Sequence, residues 1–247
     1  MQTPTAILFD LDDTLLDTTL SASRAWAEAA EYFADEIGQS REVFEPILEA
    51  SRKWYWSDPE RNRVGRRDVA RSRIEVTVHG LRRLGIDDPD LAERFSNHYT
   101  RRRVQVMSFF EGALETLEHF RERGVPMALI TNGDATHQRD KVAHFDLEPY
   151  FEAVLIEGEL GYGKPDRRVF EAALEACGVG DDADRGSCWC VGDSLPWEVA
   201  GAQAVGLCGV WNDWRGVGLP TDWPPGQPPI RPDLIVQRVD ELIGSAS

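Results

Sequence analysis

The stretch that most constrains this chain lies near its start: Ala6-Ile7-Leu8-Phe9-Asp10-Leu11-Asp12-Asp13-Thr14. An apolar run that stops abruptly in acids marks a buried strand that delivers carboxylates to the edge of a sheet. Asp10 and Asp12 stand two apart, so at strand spacing their side chains share a direction, and a rigid strand can aim both at one bound group. Two carboxylates on one small target point to a metal, a proton relay, or both. The plain alternative is an acidic turn after a core strand, because Asp favours turns and helix caps. A calcium loop does not fit: its pattern needs Gly at the sixth place and Glu at the twelfth, and counting from Asp10 those places hold Leu15 and Ser21.

A chain of 247 residues can bury an ample core without a metal or disulfide staple. Cys177, Cys188, Cys190 and Cys208 lack metal-site spacing, and Cys188 and Cys190 sit in an apolar strand-like run where Cys acts as a small hydrophobe. A reduced, cytoplasmic setting is expected. The first strand begins within a few residues of Met1, so no signal peptide is expected, and no apolar run approaches membrane-spanning length.

Charge divides the chain. Of its 27 basic and 43 acidic residues, 16 and 16 lie between positions 17 and 106, which leaves 11 and 27 for the flanking parts. The whole net charge of −16 therefore belongs to the flanks, and such a surface repels nucleic acid and anionic membrane. The middle segment reads as a separate helical unit. Trp26, Ala30, Phe33 and Ile37 recur at helical spacing before Gly38; a second helix is expected over about Val43 to Trp54; a third around Arg66 carries Ala70, Ile74, Val78 and Leu81 on one face; a fourth runs from the turn at Asp87 to Pro89 through Val106. The expected organisation is a catalytic core of residues 1–16 and 107–247 with an all-helical insertion of about four helices at 17–106.

After Glu111 strand and helix alternate. A helix at 112–123 leads to a strand ending at Thr131; Ala153 to Ile156 is a short strand; a helix covers Arg167 to Cys177; further strands cover Ser187 to Val191 and Val205 to Trp211; an edge strand and a short helix are expected in Asp233 to Ile243. This grammar predicts an α/β fold, a Rossmann-like parallel sheet with helices on both faces. In such sheets ligands bind beyond the carboxyl ends of the strands. Asp10, Thr131-Asn132-Gly133-Asp134, Lys164 in Gly161-Tyr162-Gly163-Lys164-Pro165, and Gly192-Asp193-Ser194 all fall at that edge.

Taken together, these residues resemble the motifs of the haloacid dehalogenase superfamily of hydrolases, in the form with a helical cap inserted after the first strand. Asp10 and Asp12 match the first motif, Thr131 the second, Lys164 the third and Asp193 the fourth. The run Thr131-Asn132-Gly133-Asp134, continuing to Gln138-Arg139-Asp140-Lys141 and Tyr150-Phe151, also resembles the branch containing N-acylneuraminate-9-phosphatase and related nucleotidases. Where close relatives usually carry a second Asp in the fourth motif, five residues after Asp193, this chain has Glu198.

The resemblance implies a magnesium-dependent phosphatase acting on a small phosphorylated metabolite, with a 2-haloacid dehalogenase or a phosphomutase as the alternatives on the same fold. The residue chemistry is consistent with phosphate transfer, which needs an in-line nucleophile and positive charge around the phosphoryl group. Asp10 is the expected nucleophile and Asp12 the expected acid and base. Mg2+ is expected on Asp10, Asp193 and the main-chain carbonyl of Asp12, with Glu198 a further candidate, and Thr131, Asn132 and Lys164 are expected around the phosphate. Asp12 in the acid/base place favours a phosphatase over a dehalogenase. In the insertion, Arg61, Arg63, Arg66, Arg67, Arg71 and Arg73 fall within thirteen residues. Helical phase sets Arg67 inside the apolar stripe and Arg71 at its border, so these two are the candidates for reading an anionic or polar substrate tail.

Overall fold

Apolar runs of three to five residues form a six-stranded, wholly parallel sheet in the order β3-β2-β1-β4-β5-β6. The strands are β1 (Ile7–Phe9), β2 (Met127–Thr131), β3 (Ala153–Ile156), β4 (Trp189–Gly192), β5 (Cys208–Asn212) and β6 (Leu234–Val236). The structure is a computed structural model that describes residues 3–65, 68–180, 184–223, 226 and 228–246. It divides into two compact units, Met1–Asp17 with Phe109–Ser247, and Thr18–Ser108.

In the first unit β1 lies between β2 and β4, with Leu8 in register with Ala128 on one side and Cys190 on the other. Both faces are covered, which is why β1, β2 and β4 read as continuous apolar runs without alternation. One face packs Ala6, Leu8, Ala128, Ile130, Cys188 and Cys190 against Val169, Phe170, Ala173 and Leu174 of a helix at Arg167–Ala176 and Ala202 of another at Ala200–Gln203. On the opposite face Trp189 meets Phe120, from the helix Ala113–Glu122, edge to face at 6.2 Å. Because β2 and β3 extend the sheet to one side of β1 and β4 to β6 to the other, the strand order reverses beside β1. Such a reversal opens a crevice at the carboxyl ends of the flanking strands.

The helical unit holds α1 (Thr19–Tyr32), α2 (Ala34–Ile37), α3 (Arg41–Ser57), α4 (Pro59–Gly65), α5 (Val69–Arg83) and α6 (Pro89–Val106). Four are long, as expected. The two short ones are produced by local signals: Gly38 takes a left-handed φ of 69° that ends α2, and Pro59 starts α4. Its core gathers Phe33, Phe44, Leu48, Leu81, Leu91 and Phe95, with Trp26 stacked on Tyr99 at 3.9 Å.

The buried face of α5 departs from the sequence reading. Ala70 is exposed and Ile74 and Val78 are only half-buried, whereas Ser72, Arg73, Val76, Thr77, Gly80 and Leu81 are buried. At about 100° per residue this face lies roughly a quarter turn from the stripe of branched residues. Small polar side chains make it possible. Ser72 donates to the Val69 carbonyl at 2.8 Å and Thr77 to the Arg73 carbonyl at 3.0 Å, so each hydroxyl is buried with a partner, and bare Gly80 lets Leu48 of α3 come close.

Candidate active site

The carboxyl end of β1 opens into a tight turn in which Leu15 and Leu16 amides both bond the Leu11 carbonyl and Asp13 takes a left-handed φ of 61°. Asp10, just past the strand, is 6% exposed. Its amide is held by the Val191 carbonyl of β4 at 2.9 Å, and its carboxylate accepts from Thr14 Oγ1 at 3.0 Å and from Lys164 Nζ.

Lys164 is itself 5% exposed and sits between two carboxylates, with Glu198 Oε1 2.7 Å from its Nζ. A buried triad of two acids and one cation carries net negative charge. Burial alone lowers the lysine pKa, but Asp10 and Glu198 outweigh it and hold Lys164 above its usual range. Burial likewise pushes Asp10 up to about 7, against the pull of Lys164 and with Glu198 and Asp12 adding to the rise.

Glu198, a candidate metal ligand by its place after Asp193, has both oxygens engaged: Oε1 on Lys164 and Oε2 accepting from the Ser194 amide at 2.8 Å. It lies on a π-helical turn, Leu195–Val199, that folds back over the end of β4. Gly192 makes the fold-back possible, because a Cβ there would lie 2.1 Å from Glu198 Cγ.

Asn132 follows β2. Its side-chain NH2 donates to the Lys164 carbonyl at 2.8 Å and its Oδ1 accepts from the Lys164 amide at 2.8 Å, so this amide braces the lysine loop. Gly163 leaves room for it, since a Cβ there would lie 2.4 Å from Asn132 Oδ1.

Asp12 is gripped by a helix the sequence reading passed over, Ala135–His144, capped by Asp134, which accepts from the His137 amide at 3.0 Å. Lys141 Nζ donates to both Asp12 oxygens at 2.6 and 2.7 Å, and Gln138 Nε2 reaches Asp12 Oδ2 at 2.9 Å. The same Gln138 amide bonds Thr131 Oγ1, which occupies a lone pair of that hydroxyl and leaves its proton to point elsewhere. Lys141 is 7% exposed and Gln138 2%.

Asp193 ends β4. Its carbonyl accepts from Trp211 Nε1 at 2.8 Å, and its carboxylate faces Arg215 Nη1 at 3.8 Å, while Arg215 Nη2 bonds Asp13 at 3.2 Å. Burial first, then the charges of Asp10, Glu198 and Asp13, push Asp193 up to about 8. Thus Asp10, Asp12, Thr131, Asn132, Lys164, Asp193 and Glu198 converge at one sheet edge. Among the described residues no group of three or more His, Cys, Asp or Glu side chains is placed to hold a metal ion. Thr14, Gln138, Lys141 and Arg215 join the edge without having been singled out for it. The only sequence hint was that Gln138 and Lys141 fall inside the motif run after Thr131.

Two residues of the helical unit, Arg67 and Arg71, are the candidates for reading a substrate tail. Arg67 lies outside the described residues. Arg71 belongs to the helical unit, where its side chain is 71% exposed and pairs with Glu75 at 3.0 Å.

The haloacid dehalogenase-like hydrolase family matches residues 4–206 of the chain. Phosphoserine phosphatase of Thermus thermophilus is 35% identical over 217 residues, covering 88% of this chain and 76% of that protein. N-acylneuraminate-9-phosphatase of Rattus norvegicus is 28% identical over 253 residues, covering 96% and 91%. Among solved structures, a magnesium-bound Bacillus subtilis protein described as a HAD hydrolase matches all of both chains with a TM-score of 0.70 at 20% identity, a likeness of fold.

Proposed function

Since the chain belongs to the haloacid dehalogenase-like hydrolase family, we propose that it is a phosphatase that removes the phosphoryl group of a small phosphorylated metabolite through Asp10. The observation that carries this reading is the pair of aspartates two residues apart in opposite settings: Asp10 buried against Lys164 and Thr14, Asp12 one-third exposed and held by Lys141 and Gln138. Two carboxyls whose environments differ suit a nucleophile and an acid/base. The names of the similar proteins, a phosphoserine phosphatase and an N-acylneuraminate-9-phosphatase, support the same reaction class.

The donor set fits magnesium. Asp10 is a buried acid and Asp193 a half-buried one whose pKa the charge of Asp10 helps to raise, and the guanidinium of Arg215 already gathers at Asp193 and Asp13. Magnesium takes one or two carboxylates and keeps several waters, so two carboxylates and the Asp12 carbonyl suffice without a cage. When bound, it supplies positive charge that keeps Asp10 ionised and offsets its repulsion from phosphate.

The residues supply the rest. Asp10 attacks phosphorus in line with the leaving oxygen, giving an aspartyl phosphate. Lys164, fixed by Glu198 and by the Asn132 brace, and the Thr131 hydroxyl, turned by Gln138, neutralise and hold the phosphoryl oxygens. Asp12 gives a proton to the leaving alcohol and then takes one from the water that hydrolyses the acyl phosphate. Lys141 favours the ionised form of Asp12, the form the second step needs. A screen of phosphate monoesters with magnesium, beside a 2-haloacid control, tests the reaction class: release of phosphate and no release of halide is expected, and the reverse pattern overturns it.

A further inference from the structure

The chain leaves β5 at the same sheet edge as the acids, and the loop it enters is held at several points. The buried carboxylate of Asp213 accepts from the Val217 amide at 3.1 Å and the Gly218 amide at 2.8 Å, and the Asp213 amide donates to the Val236 carbonyl of β6 at 2.8 Å. Gly216 turns the chain back with a left-handed φ of 63°, its amide donating to the Asp213 carbonyl at 2.8 Å. Within that turn Trp214 packs on Phe110, ring centres 5.2 Å apart, and the Arg215 guanidinium lies 4.1 Å from the Trp214 ring centre. A loop tied in this way presents Arg215 in one place.

That place is beside two acids. Arg215 Nη2 donates to Asp13 Oδ2 at 3.2 Å, and Nη1 lies 3.8 Å from Asp193 Oδ2, beyond hydrogen-bond reach. Asp13 is fixed by its own amide, which donates to the Leu16 carbonyl at 2.8 Å. The guanidinium is therefore anchored on Asp13 and leans on Asp193, with a side chain 45% exposed that stays partly hydrated. The charges at this edge do not balance. Among the described residues, the ion pairs here join five carboxylates, Asp10, Asp12, Asp13, Asp193 and Glu198, to three cations, Lys141, Lys164 and Arg215. With every acid ionised, five negative and three positive charges leave two negative, the charge that one divalent cation offsets. Lys141 and Lys164 are buried against acids other than Asp193, so of the three cations Arg215 is the one placed to share Asp193 with a metal.

We propose that Arg215 is an internal competitor of the metal: it holds Asp13 and Asp193 together in the metal-free protein and lowers the affinity with which the site takes a divalent cation. This rests on the reading that Asp10 and Asp193 hold magnesium. Magnesium sits about 2 Å from a carboxylate oxygen, so an ion on Asp193 Oδ2 lies within about 6 Å of Nη1. Even at the dielectric constant of bulk water, a divalent and a single positive charge about 6 Å apart repel enough to change an equilibrium constant about tenfold. The same contact steadies the metal-free acids, so loss of the guanidinium moves stability and metal affinity in opposite directions. A residue that merely braces Asp13 or shapes Asp193 for the metal moves both in the same direction.

Titration calorimetry with magnesium chloride in low-salt buffer, where screening is weak, reads the affinity, and thermal melting with and without the metal reads the stability. In Arg215→Met, which keeps an unbranched stem, the metal-free protein is expected to melt lower than the parent and to bind magnesium about tenfold more tightly, so that magnesium raises its melting temperature further. Arg215→Lys, which keeps the charge and loses the planar fork, is expected to bind magnesium within about threefold of the parent. A gain below about fivefold in Arg215→Met, or a fall, refutes the competition. So does an Arg215→Lys protein that binds as tightly as Arg215→Met, because charge is then not the cause. A parent that takes up no magnesium overturns the metal reading and the competition with it, whereas a parent that binds magnesium just as Arg215→Met does overturns the competition alone.

Discussion

Replacing Glu198 separates two roles that its position alone leaves entangled, support of Lys164 and ligation of a metal. In Glu198→Ala the chain loses the 2.7 Å ion pair to Lys164 and the acceptor of the Ser194 amide. Breaking a buried pair costs about 3–5 kcal/mol when the partner is left bare. Lys164 keeps Asp10, so the lower end applies, about 3 kcal/mol. At about 2–4 °C per kcal/mol for a chain of this size, the melting temperature falls by about 6–12 °C. Glu198→Gln keeps an acceptor for Ser194 and removes one buried negative charge, so its fall is about 1 kcal/mol. Magnesium affinity, read by titration calorimetry, is expected to change less than about twofold in either variant, because both Glu198 oxygens are committed elsewhere, and to fall at least about tenfold in Asp193→Ala. Turnover drops in Glu198→Ala through the unmoored lysine. A Glu198→Ala protein that melts like the parent and binds magnesium as weakly as Asp193→Ala refutes this division of labour.

Lys141→Met removes the cation that favours ionised Asp12, so hydrolysis of the acyl phosphate slows more than its formation; rapid quench is expected to show phosphorylated protein accumulating, with turnover down about a hundredfold. Asp10 and Asp193 both have folded-state pKa values raised above the ordinary carboxylate value, to about 7 and about 8, so the metal-free protein is fully stabilised below about pH 4 and loses stability as pH rises through 7 to 8. Magnesium is therefore expected to raise the melting temperature more at pH 8 than at pH 5; an equal rise at both counts against a metal on these acids. Burial raises the thiol pKa of Cys177 to about 12 and that of Cys208 to about 11, and Cys190 higher still. Since Cys208 alone of the four is not buried, a thiol reagent at pH 8 is expected to label it first and the others only on unfolding.

The strands and their terminal residues were readable because each is an apolar run broken by a polar group, and Asp10, Thr131 and Asp193 fall at those breaks, with Lys164 in the loop beyond β3. What serves them was not readable in the same way. The helix Ala135–His144 buries Gln138 and Lys141 along with Val142, so hydrophobic periodicity passes over it, yet it grips Asp12 and turns Thr131. Helix α5 misled for the reverse reason. Its branched residues suggested a core stripe, while Ser72, Thr77 and Gly80 allow the closer packing and bring Arg73, not Arg71, inside. The role of Glu198 depended on Gly192, whose missing side chain lets the acid reach Lys164, a contact between loop and strand that spacing does not announce.

The central claim is that Asp10 carries the phosphoryl group, and acid-quench mass spectrometry of the protein turning over a phosphate monoester with magnesium tests it most directly. One phosphoryl group on Asp10 is expected, appearing and decaying at rates compatible with turnover, and Asp10→Asn is expected to form no adduct and show no turnover while keeping its fold. Phosphate found on another residue, or an Asp10→Asn protein that still turns over, contradicts the account.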